Sequence, residues 1–298
     1  MSGAPTVSVV TCFLNPGRYL EETIESVLRQ SADGWELLLV DDGSTDGSTE
    51  IARRYASQYP QRIFYFEHPG HANRGCSASR NLALRHAQGD FVAILDADDV
   101  LQQQALERRI AILRARPEIG MVYGPALLWH GWTGVSEDRR RDREERLHVA
   151  PGTVFLPVAY AAYLLGYDAD IPSPCTVLIR RSVIELVGGF DDSFRDLFDD
   201  QVLYMKLALK AAVLVAGECD SKYRQHSDST CAVAERGGRT LAARRVYLAW
   251  VKRYLEAQGI RDGRVWKAYR AIHRRFNWPR LFRSSQVVRR VWKRLAAS

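Results

Sequence analysis

The sequence predicts an α/β fold in which helices flank a doubly wound, mostly parallel sheet and a helical extension follows at the C-terminus. Strand-like and helix-like segments alternate along the first hundred residues, and this alternation is typical of right-handed βαβ crossovers in one sheet. Polar clusters follow three of the predicted strands. Since ligands of such sheets bind beyond the carboxyl ends of the strands, the clusters indicate one shared site.

Four strands and four helices are predicted before residue 116. Runs rich in β-branched and apolar residues predict strands at 7–13, 35–40, 62–66 and 90–95. Apolar residues at helical spacing predict helices at 19–30, 49–57, 77–86 and 101–115. Turn signals separate these elements, as Asn15-Pro-Gly does after the first strand.

Three carboxylates crowd the end of the fourth predicted strand, at Asp96, Asp98 and Asp99. Carboxylates this close repel one another and are costly to desolvate, so they need a nearby positive charge. A lone Asp-x-Asp is more often a turn or a helix cap, and Asp99 has the alternative role of capping the helix at 101–115.

Polar residues also follow two other strands, in the stretch 11–15 and at the pair Asp41-Asp42. A divalent cation bound to a nucleotide diphosphate would provide the positive charge that all three clusters need. Mg²⁺ and Mn²⁺ prefer oxygen ligands and are often held by one or two carboxylates together with phosphates. We therefore expect Mg²⁺ or Mn²⁺ as the cofactor.

Composition excludes several classes of protein. The 298 residues are 46% hydrophobic and 26% charged, which suits one large domain or a domain with an appendage. No apolar run reaches eighteen residues, so no transmembrane helix is predicted, and the first residues lack the pattern of a signal peptide. The five cysteines have no Cys-x-x-Cys spacing, which favours reduced thiols in a cytoplasmic protein over a zinc site.

Seven short motifs follow one another between about residues 6 and 230. They are Val7-Ser-Val-Val-Thr-Cys-Phe-Leu-Asn, Leu39-Val-Asp-Asp-Gly-Ser-Thr-Asp, Ser79-Arg-Asn, Leu95-Asp-Ala-Asp-Asp, Gly188-Gly-Phe-Asp, Phe198-Asp-Asp-Gln-Val-Leu and Tyr223-Arg-Gln-His. This ordered set resembles the signatures of family 2 glycosyltransferases, whose nucleotide-sugar-binding fold is called GT-A. The resemblance implies metal-dependent transfer of a sugar, with inversion, from a nucleotide-diphosphate donor to an acceptor hydroxyl.

The resemblance assigns the nucleotide base to the ends of the first two strands. Asp42 is expected to accept a hydrogen bond from the imide N–H of a pyrimidine. Thr11 and Phe13 would flank the base, and Asn15, just after the same strand, would also bind the nucleotide sugar. The family more often has Tyr where Phe13 stands. UDP is the first choice, with dTDP and GDP as alternatives. Asp41 has the alternative role of capping the turn that follows it.

The remaining donor contacts surround the diphosphate and metal. Arg80 is expected to contact the diphosphate or the base, and the alternative is a salt bridge on the helix surface. Asp98 is the principal metal ligand, with Asp96 contacting ribose or metal. His226 is expected to complete the metal shell or bind a phosphate, and Arg224 to neutralise the departing diphosphate.

A second acidic pair, Asp199-Asp200, is expected to catalyse the transfer of the sugar. Inverting transfer needs a base that deprotonates the acceptor hydroxyl, and the resemblance implies Asp200 in this role with Asp199 supporting it. The family usually has Glu-Asp here, so Asp199 is one methylene shorter than is typical. The alternative role of Asp200 is to stabilise the N-terminus of a helix.

The domain prediction places a GT-A-like catalytic domain at 1–236 and a basic helical extension at 237–298. Within the first, 1–100 would bind the nucleotide and 101–236 the acceptor. Twelve of the 42 Lys and Arg residues follow position 260, with one acid among them.

The aromatic residues of this extension alternate with its bases. These aromatic residues include Trp266, Tyr269, Trp278, Phe282 and Trp292. The pattern suits peripheral contact with an anionic membrane and a lipid-linked or saccharide acceptor, whereas the alternative is a helical cap on the catalytic domain. No nucleic-acid partner is expected, because no recognised module accompanies the charge.

Two functions from other classes compete with sugar transfer. A nucleotidyltransferase that forms nucleotide sugars would be expected to have a glycine-rich basic loop after the first strand, which 11–18 matches poorly. A non-catalytic binding relic would be favoured by the loss of Asp98 or Asp200, and both are present.

Overall fold

The structure is a computed structural model that describes residues 5–277. Its strands are β1 (Val7–Phe13), β2 (Trp35–Asp41), β3 (Ile63–Glu67), β4 (Phe91–Ile94), β5 (Val100–Leu101), β6 (Ile119–Tyr123), β7 (Leu127–Trp129), β8 (Arg143–Glu144), β9 (Val154–Phe155), β10 (Leu178–Arg180), β11 (Ala212–Val215) and β12 (Ser221–Arg224). Trp278, Phe282 and Trp292 of the predicted membrane-facing extension lie outside the described residues.

Helices fill most of the connections between these strands. They are α1 (Leu20–Leu28), α2 (Ser48–Gln58), α3 (Cys76–His86), α4 (Ala105–Ala115), α5 (Ser136–Arg139), α6 (Ala159–Leu164), α7 (Arg181–Val187), α8 (Asp199–Ala208), α9 (Thr230–Arg236), α10 (Thr240–Ala257) and α11 (Gly263–Asn277). Within residues 5–277, no helix is long and apolar enough to cross a membrane.

The main sheet confirms the predicted α/β architecture. Its order is β3-β2-β1-β4-β10-β6-β11-β9, and its first four strands are parallel. β10 and β9 run antiparallel to their neighbours. Because β1, β2 and β4 are parallel and adjacent, their carboxyl ends meet at one edge of the sheet, where the predicted polar clusters lie.

Two hydrophobic cores cover the two faces of this sheet. Along β2, Leu37 and Leu39 belong to one core, whereas Leu38 and Val40 belong to the other. Successive side chains of a strand point to opposite faces, so a continuous apolar run indicates burial on both sides. One core packs against α1, α2 and α4, and the other against α3, α8, α10 and α11.

Two features differ from the sequence prediction. A second sheet, of order β5-β12-β7-β8, was not predicted, because its strands are only two to four residues long. The helix expected at 101–115 begins at Ala105, since Val100 and Leu101 pair with β12 instead. The alternative role of Asp99 as its cap is therefore wrong: Asp99 Oδ1 accepts the backbone N–H of Arg224 at 2.9 Å.

Gly89 lies where the chain enters β4 against the start of β1. A Cβ atom at Gly89 would lie 2.6 Å from the backbone nitrogen of Ser8 and 2.7 Å from the carbonyl carbon of Val7. We expect Gly89→Ala to lower the free energy of unfolding by about 1–3 kcal/mol, because the backbone must move.

Urea denaturation measures this change, with Gly263→Ala as the matched control. A Cβ atom at Gly263 meets nothing within 4 Å, so the control should keep its stability. Equal stability of the two variants would contradict the close approach at Gly89.

Candidate active site

An open cleft of 1240 Å³ lies beyond the carboxyl ends of β1, β2 and β4. Nine of the residues predicted from the sequence line it: Phe13, Asn15, Asp42, Arg80, Asp96, Asp98, Asp199, Asp200 and His226. The sheet contributes the strand-end groups, α3 contributes Arg80, and α8 contributes the second acidic pair. The structure therefore brings the two acidic clusters together in one cleft.

Thr11 and Asp41 lie behind the wall of the cleft. Both are fully buried, and the Thr11 hydroxyl has no hydrogen-bond partner. Asp41 Oδ1 accepts the backbone N–H groups of Gly43 and Ser44 at 3.1 and 2.7 Å. This geometry is the turn-capping role that the sequence left open for Asp41.

Arg224 also lies beneath the cleft. Its guanidinium donates to the carbonyl oxygen of Asp98 at 2.5 Å and to Glu22 Oε2 at 2.6 Å, and only 2% of the side chain is exposed. The ring centroids of Trp129 and Trp132 lie 4.4 and 5.4 Å from the guanidinium carbon. Arg224 thus supports the strand end that carries Asp98.

Asp42 lies in the cleft and organises the loop in front of α3. Its Oδ1 accepts the N–H of Arg74 at 2.7 Å and the Ser79 hydroxyl at 3.0 Å, while Oδ2 accepts the N–H of Gly75 at 3.0 Å. Gly75 has a φ of 92°, and a Cβ atom there would lie 2.8 Å from the side chain of Arg195. The loop can therefore approach Asp42 only with glycine at this position.

Arg80 forms a buried bridge between the two acidic clusters. Its Nη2 donates to Asp96 Oδ1 at 2.5 Å, and its Nη1 donates to Asp199 Oδ2. Only 4% of the Arg80 side chain is exposed, so the expected alternative of a salt bridge on the helix surface is wrong. Burial raises the pKa of Asp96, and the charge of Arg80 opposes that rise.

Asp98 and His226 form the pair of side chains that suits a metal ion. His226 Nε2 lies 2.8 Å from Asp98 Oδ2, and His226 Nδ1 is buried without a hydrogen-bond partner. The carboxylate oxygens of Asp98 are donors that suit Mg²⁺ and Mn²⁺. No cluster of three or more His, Cys, Asp or Glu side chains arranged for a metal occurs within residues 5–277.

Asp200 differs from the other acids of the cleft in its partners. Its Oδ1 accepts the backbone N–H of Gln201 at 2.7 Å, and no ion pair involves it within residues 5–277. Burial, and then the charge of Asp199, raise the pKa of Asp200 to about 7, while Arg80 opposes this rise. A carboxyl group with such a pKa can take up and release a proton near neutral pH.

Several lining residues were not predicted from the sequence. Phe198 precedes the acidic pair, Arg244 and Thr240 come from α10, and the Sγ atoms of Cys12 and Cys76 lie 2.8 Å apart. No motif spacing indicates α10, because it joins the cleft only through tertiary packing. The motif Phe198-Asp-Asp-Gln-Val-Leu, in which Phe198 directly precedes the acidic pair, was the available signal for Phe198.

Comparison with known proteins identifies the family. Residues 8–186 match the profile of Glycosyl transferase family 2. The chain belongs to that family. The minor teichoic acid biosynthesis protein GgaB of Bacillus subtilis (strain 168) is a relative, 34% identical over 236 residues that cover 76% of this chain and 24% of GgaB. Family 2 membership confirms the resemblance that the motifs carried.

Solved structures confirm the GT-A-like fold of this family 2 member. S. aureus TarS 1–349 in complex with UDP aligns with a TM-score of 0.59 at 20% identity, covering 74% of this chain and 61% of that one. The mannosyltransferase PcManGT from Pyrobaculum calidifontis, in complex with GDP-Man and Mn²⁺, aligns with a TM-score of 0.57 at 24% identity, covering 93% and 72%. The chain spans less than half the length of the first curated relatives that it matches.

The bridge at Arg80 leads to a stability prediction for this family 2 member. We expect Arg80→Met to lower the free energy of unfolding by about 3–5 kcal/mol, because Asp96 and Asp199 lose their buried cation. Urea denaturation at neutral pH measures the loss.

Arg29→Met is the matched control, since Arg29 pairs with Glu25 on the exposed surface of α1. Its effect should stay within about 0.5 kcal/mol. If the two variants are equally stable, Arg80 does not link the acidic clusters.

Proposed function

We propose that the protein transfers a sugar from a nucleotide-diphosphate sugar to an acceptor hydroxyl with inversion, with Mg²⁺ or Mn²⁺ as cofactor. The observation that carries this proposal is the position of Asp200, an acid with a pKa of about 7, in the same cleft as Asp98 and His226. A general base and a set of metal-binding donors in one cleft are what metal-assisted sugar transfer requires.

The donor base would lie at the ends of β1 and β2. Asp42 faces the cleft, and Phe13 and Asn15 line the same wall. Asp42 Oδ2 accepts one backbone N–H and keeps a lone pair for the imide of a pyrimidine. TarS structures with UDP and UDP-GlcNAc support UDP as the first choice, and PcManGT with GDP-Man supports GDP as the alternative.

Asp98 and His226 would hold the metal ion together with the donor phosphates. The bound ion would supply positive charge that stabilises the diphosphate as it leaves. Asp98 Oδ2 is hydrogen-bonded to His226 Nε2, so both donors already lie side by side. Asp96 offers its second oxygen to ribose or metal, since Arg80 occupies the first.

Asp200 would act as the general base. Its carboxylate takes the proton of the acceptor hydroxyl while the hydroxyl oxygen forms a bond to the anomeric carbon. The bond from that carbon to the diphosphate oxygen breaks on the opposite side, and the configuration inverts. Asp199 would support Asp200 by holding Arg80.

We propose a saccharide or lipid-linked acceptor, reached from the cytoplasmic face of a membrane. The name of the relative GgaB, a teichoic acid biosynthesis protein, supports a cell-wall polymer as the acceptor class. Helix α11 exposes Arg264, Lys267, Arg270 and Arg274, and these bases would favour an anionic lipid surface. The basic extension would therefore place the cleft close to its acceptor.

The metal site leads to a binding prediction. We expect calorimetric titration to show UDP binding that requires Mn²⁺ and weakens at least about tenfold in Asp98→Ala, because the variant loses a metal ligand. Asp196→Ala is the control, since Asp196 lies at the rim of the cleft in an exposed pair with Arg239. Full affinity in Asp98→Ala, or binding without metal, would contradict the metal-bridged donor.

Asp200 leads to a kinetic prediction. We expect Asp200→Asn to bind the donor as the wild type does and to lose transfer by about 10²–10⁴-fold, the usual contribution of a general base. In the wild type, kcat/KM should rise as pH increases through about 7, since the base acts only when ionised.

Product analysis by NMR completes this test. The anomeric configuration of the product should be opposite to that of the donor. Weakened donor binding in Asp200→Asn would make Asp200 a binding residue, and retained configuration would exclude a single displacement.

A further inference from the structure

Phe198 has a backbone conformation that is rare for a bulky residue. Its φ is 65° and its ψ is 8°, in the left-handed region, at the residue immediately before α8 begins with Asp199 and Asp200. Such a conformation costs of order 1–3 kcal/mol outside glycine and persists only where the surroundings enforce it. The direction in which Asp200 enters the cleft depends on this turn.

The C-terminal extension contacts the side chain of Phe198. The Tyr247 ring of α10 stacks on the Phe198 ring, with centroids 5.3 Å apart and planes 13° from parallel. The guanidinium carbon of Arg244 lies 4.9 Å from the centre of the same ring. Residues 244 and 247 are three apart, so they lie on one face of α10 and both contact Phe198.

These contacts reach the cleft and Asp200. Phe198, Thr240 and Arg244 line the cleft, while the Tyr247 ring is buried behind Phe198. Burial, and then the charge of Asp200, raise the pKa of Tyr247. Phe198 thus links the Tyr247 ring to the segment that carries Asp199 and Asp200.

Helix α10 is anchored independently of Tyr247. Trp250 Nε1 donates to Asp191 Oδ2 at 2.8 Å, and the Trp250 ring meets the edge of Phe194 at 6.0 Å. Leu248 and Val251 are buried in the core that α8 shares. Replacing Tyr247 therefore removes one ring from a helix that other contacts keep in place.

We propose that Tyr247, assisted by Arg244, is a positioning residue for the reaction, because it fixes the left-handed turn at Phe198 and with it the carboxylate of Asp200. This inference rests on the proposed function, in which Asp200 is the general base. It makes the extension part of the catalytic apparatus, in addition to any role at a membrane.

The test compares three variants of the full chain, Tyr247→Leu, Tyr247→Phe and Tyr269→Leu. Tyr269 in α11 is buried like Tyr247 and loses the same atoms, but its ring contacts are with Trp266 and His273. Three quantities are measured: the transfer rate at saturating donor, the affinity for UDP with Mn²⁺, and the hydrogen exchange of the Gln201 and Val202 amides. Val202 N–H donates to the Phe198 carbonyl at 2.9 Å, so its exchange reports the turn directly.

We expect Tyr247→Leu to lower kcat at least about tenfold, since small misplacements of a reacting group have large effects on rate. Its UDP affinity should stay within about twofold of wild type, and the exchange of both amides should become faster. Tyr247→Phe keeps the ring and should restore rate and protection. Tyr269→Leu should keep the wild-type rate and exchange at this turn, even where its thermal stability falls.

Two results would overturn the inference. One is unchanged amide exchange in Tyr247→Leu, and the other is a loss of rate that Tyr269→Leu shares or that follows from lost UDP affinity. A wild-type protein that transfers no sugar would instead overturn the proposed function. The exchange measurement still decides in that case whether Tyr247 fixes the turn.

Discussion

The guanidinium of Arg80 connects the residues that follow β4 to the start of α8, and its partner Asp199 lies 119 residues away in sequence. A charged group that is 4% exposed is stable only when its partners are excellent, and here Asp96 and Asp199 both accept from it. The bridge also relieves the repulsion between the two acidic clusters. The buried guanidinium thus fixes the end of β4 relative to the start of α8.

The acids of the cleft differ in their partners, and the partners decide which acid can exchange a proton. Asp42 accepts from backbone N–H groups and the Ser79 hydroxyl, Arg80 binds Asp96 and Asp199, and His226 binds Asp98. Asp200 has no cation of its own within residues 5–277, so desolvation raises its pKa to about 7. The cleft therefore contains one carboxyl group that is suited to exchange a proton near neutral pH.

The described part of the extension, residues 237–277, packs as the helical cap that the sequence analysis gave as an alternative. Helix α10 packs into the same core as α8 and lines the cleft, as expected of a cap on the catalytic unit. Helix α11 buries Val265 and Tyr269 while its bases face outward. Trp266 and Tyr269, which the sequence associated with a membrane, contact protein instead. The described part of the extension thus packs against the rest of the protein and has a basic outer surface.

Local pattern was sufficient for the parallel half of the sheet, because its strands are long apolar runs that end in polar clusters. It also located nine of the residues that line the cleft. Local pattern did not predict the buried position of Arg224 or the small sheet, and it left the role of Asp41 open. These features depend on hydrogen bonds that local pattern does not reveal. Residue spacing indicates only the local structure that one segment favours. The bridge at Arg80, the pKa of Asp200 and the turn at Phe198 exist only when α3, α8 and α10 pack together, because burial and partners arise from packing.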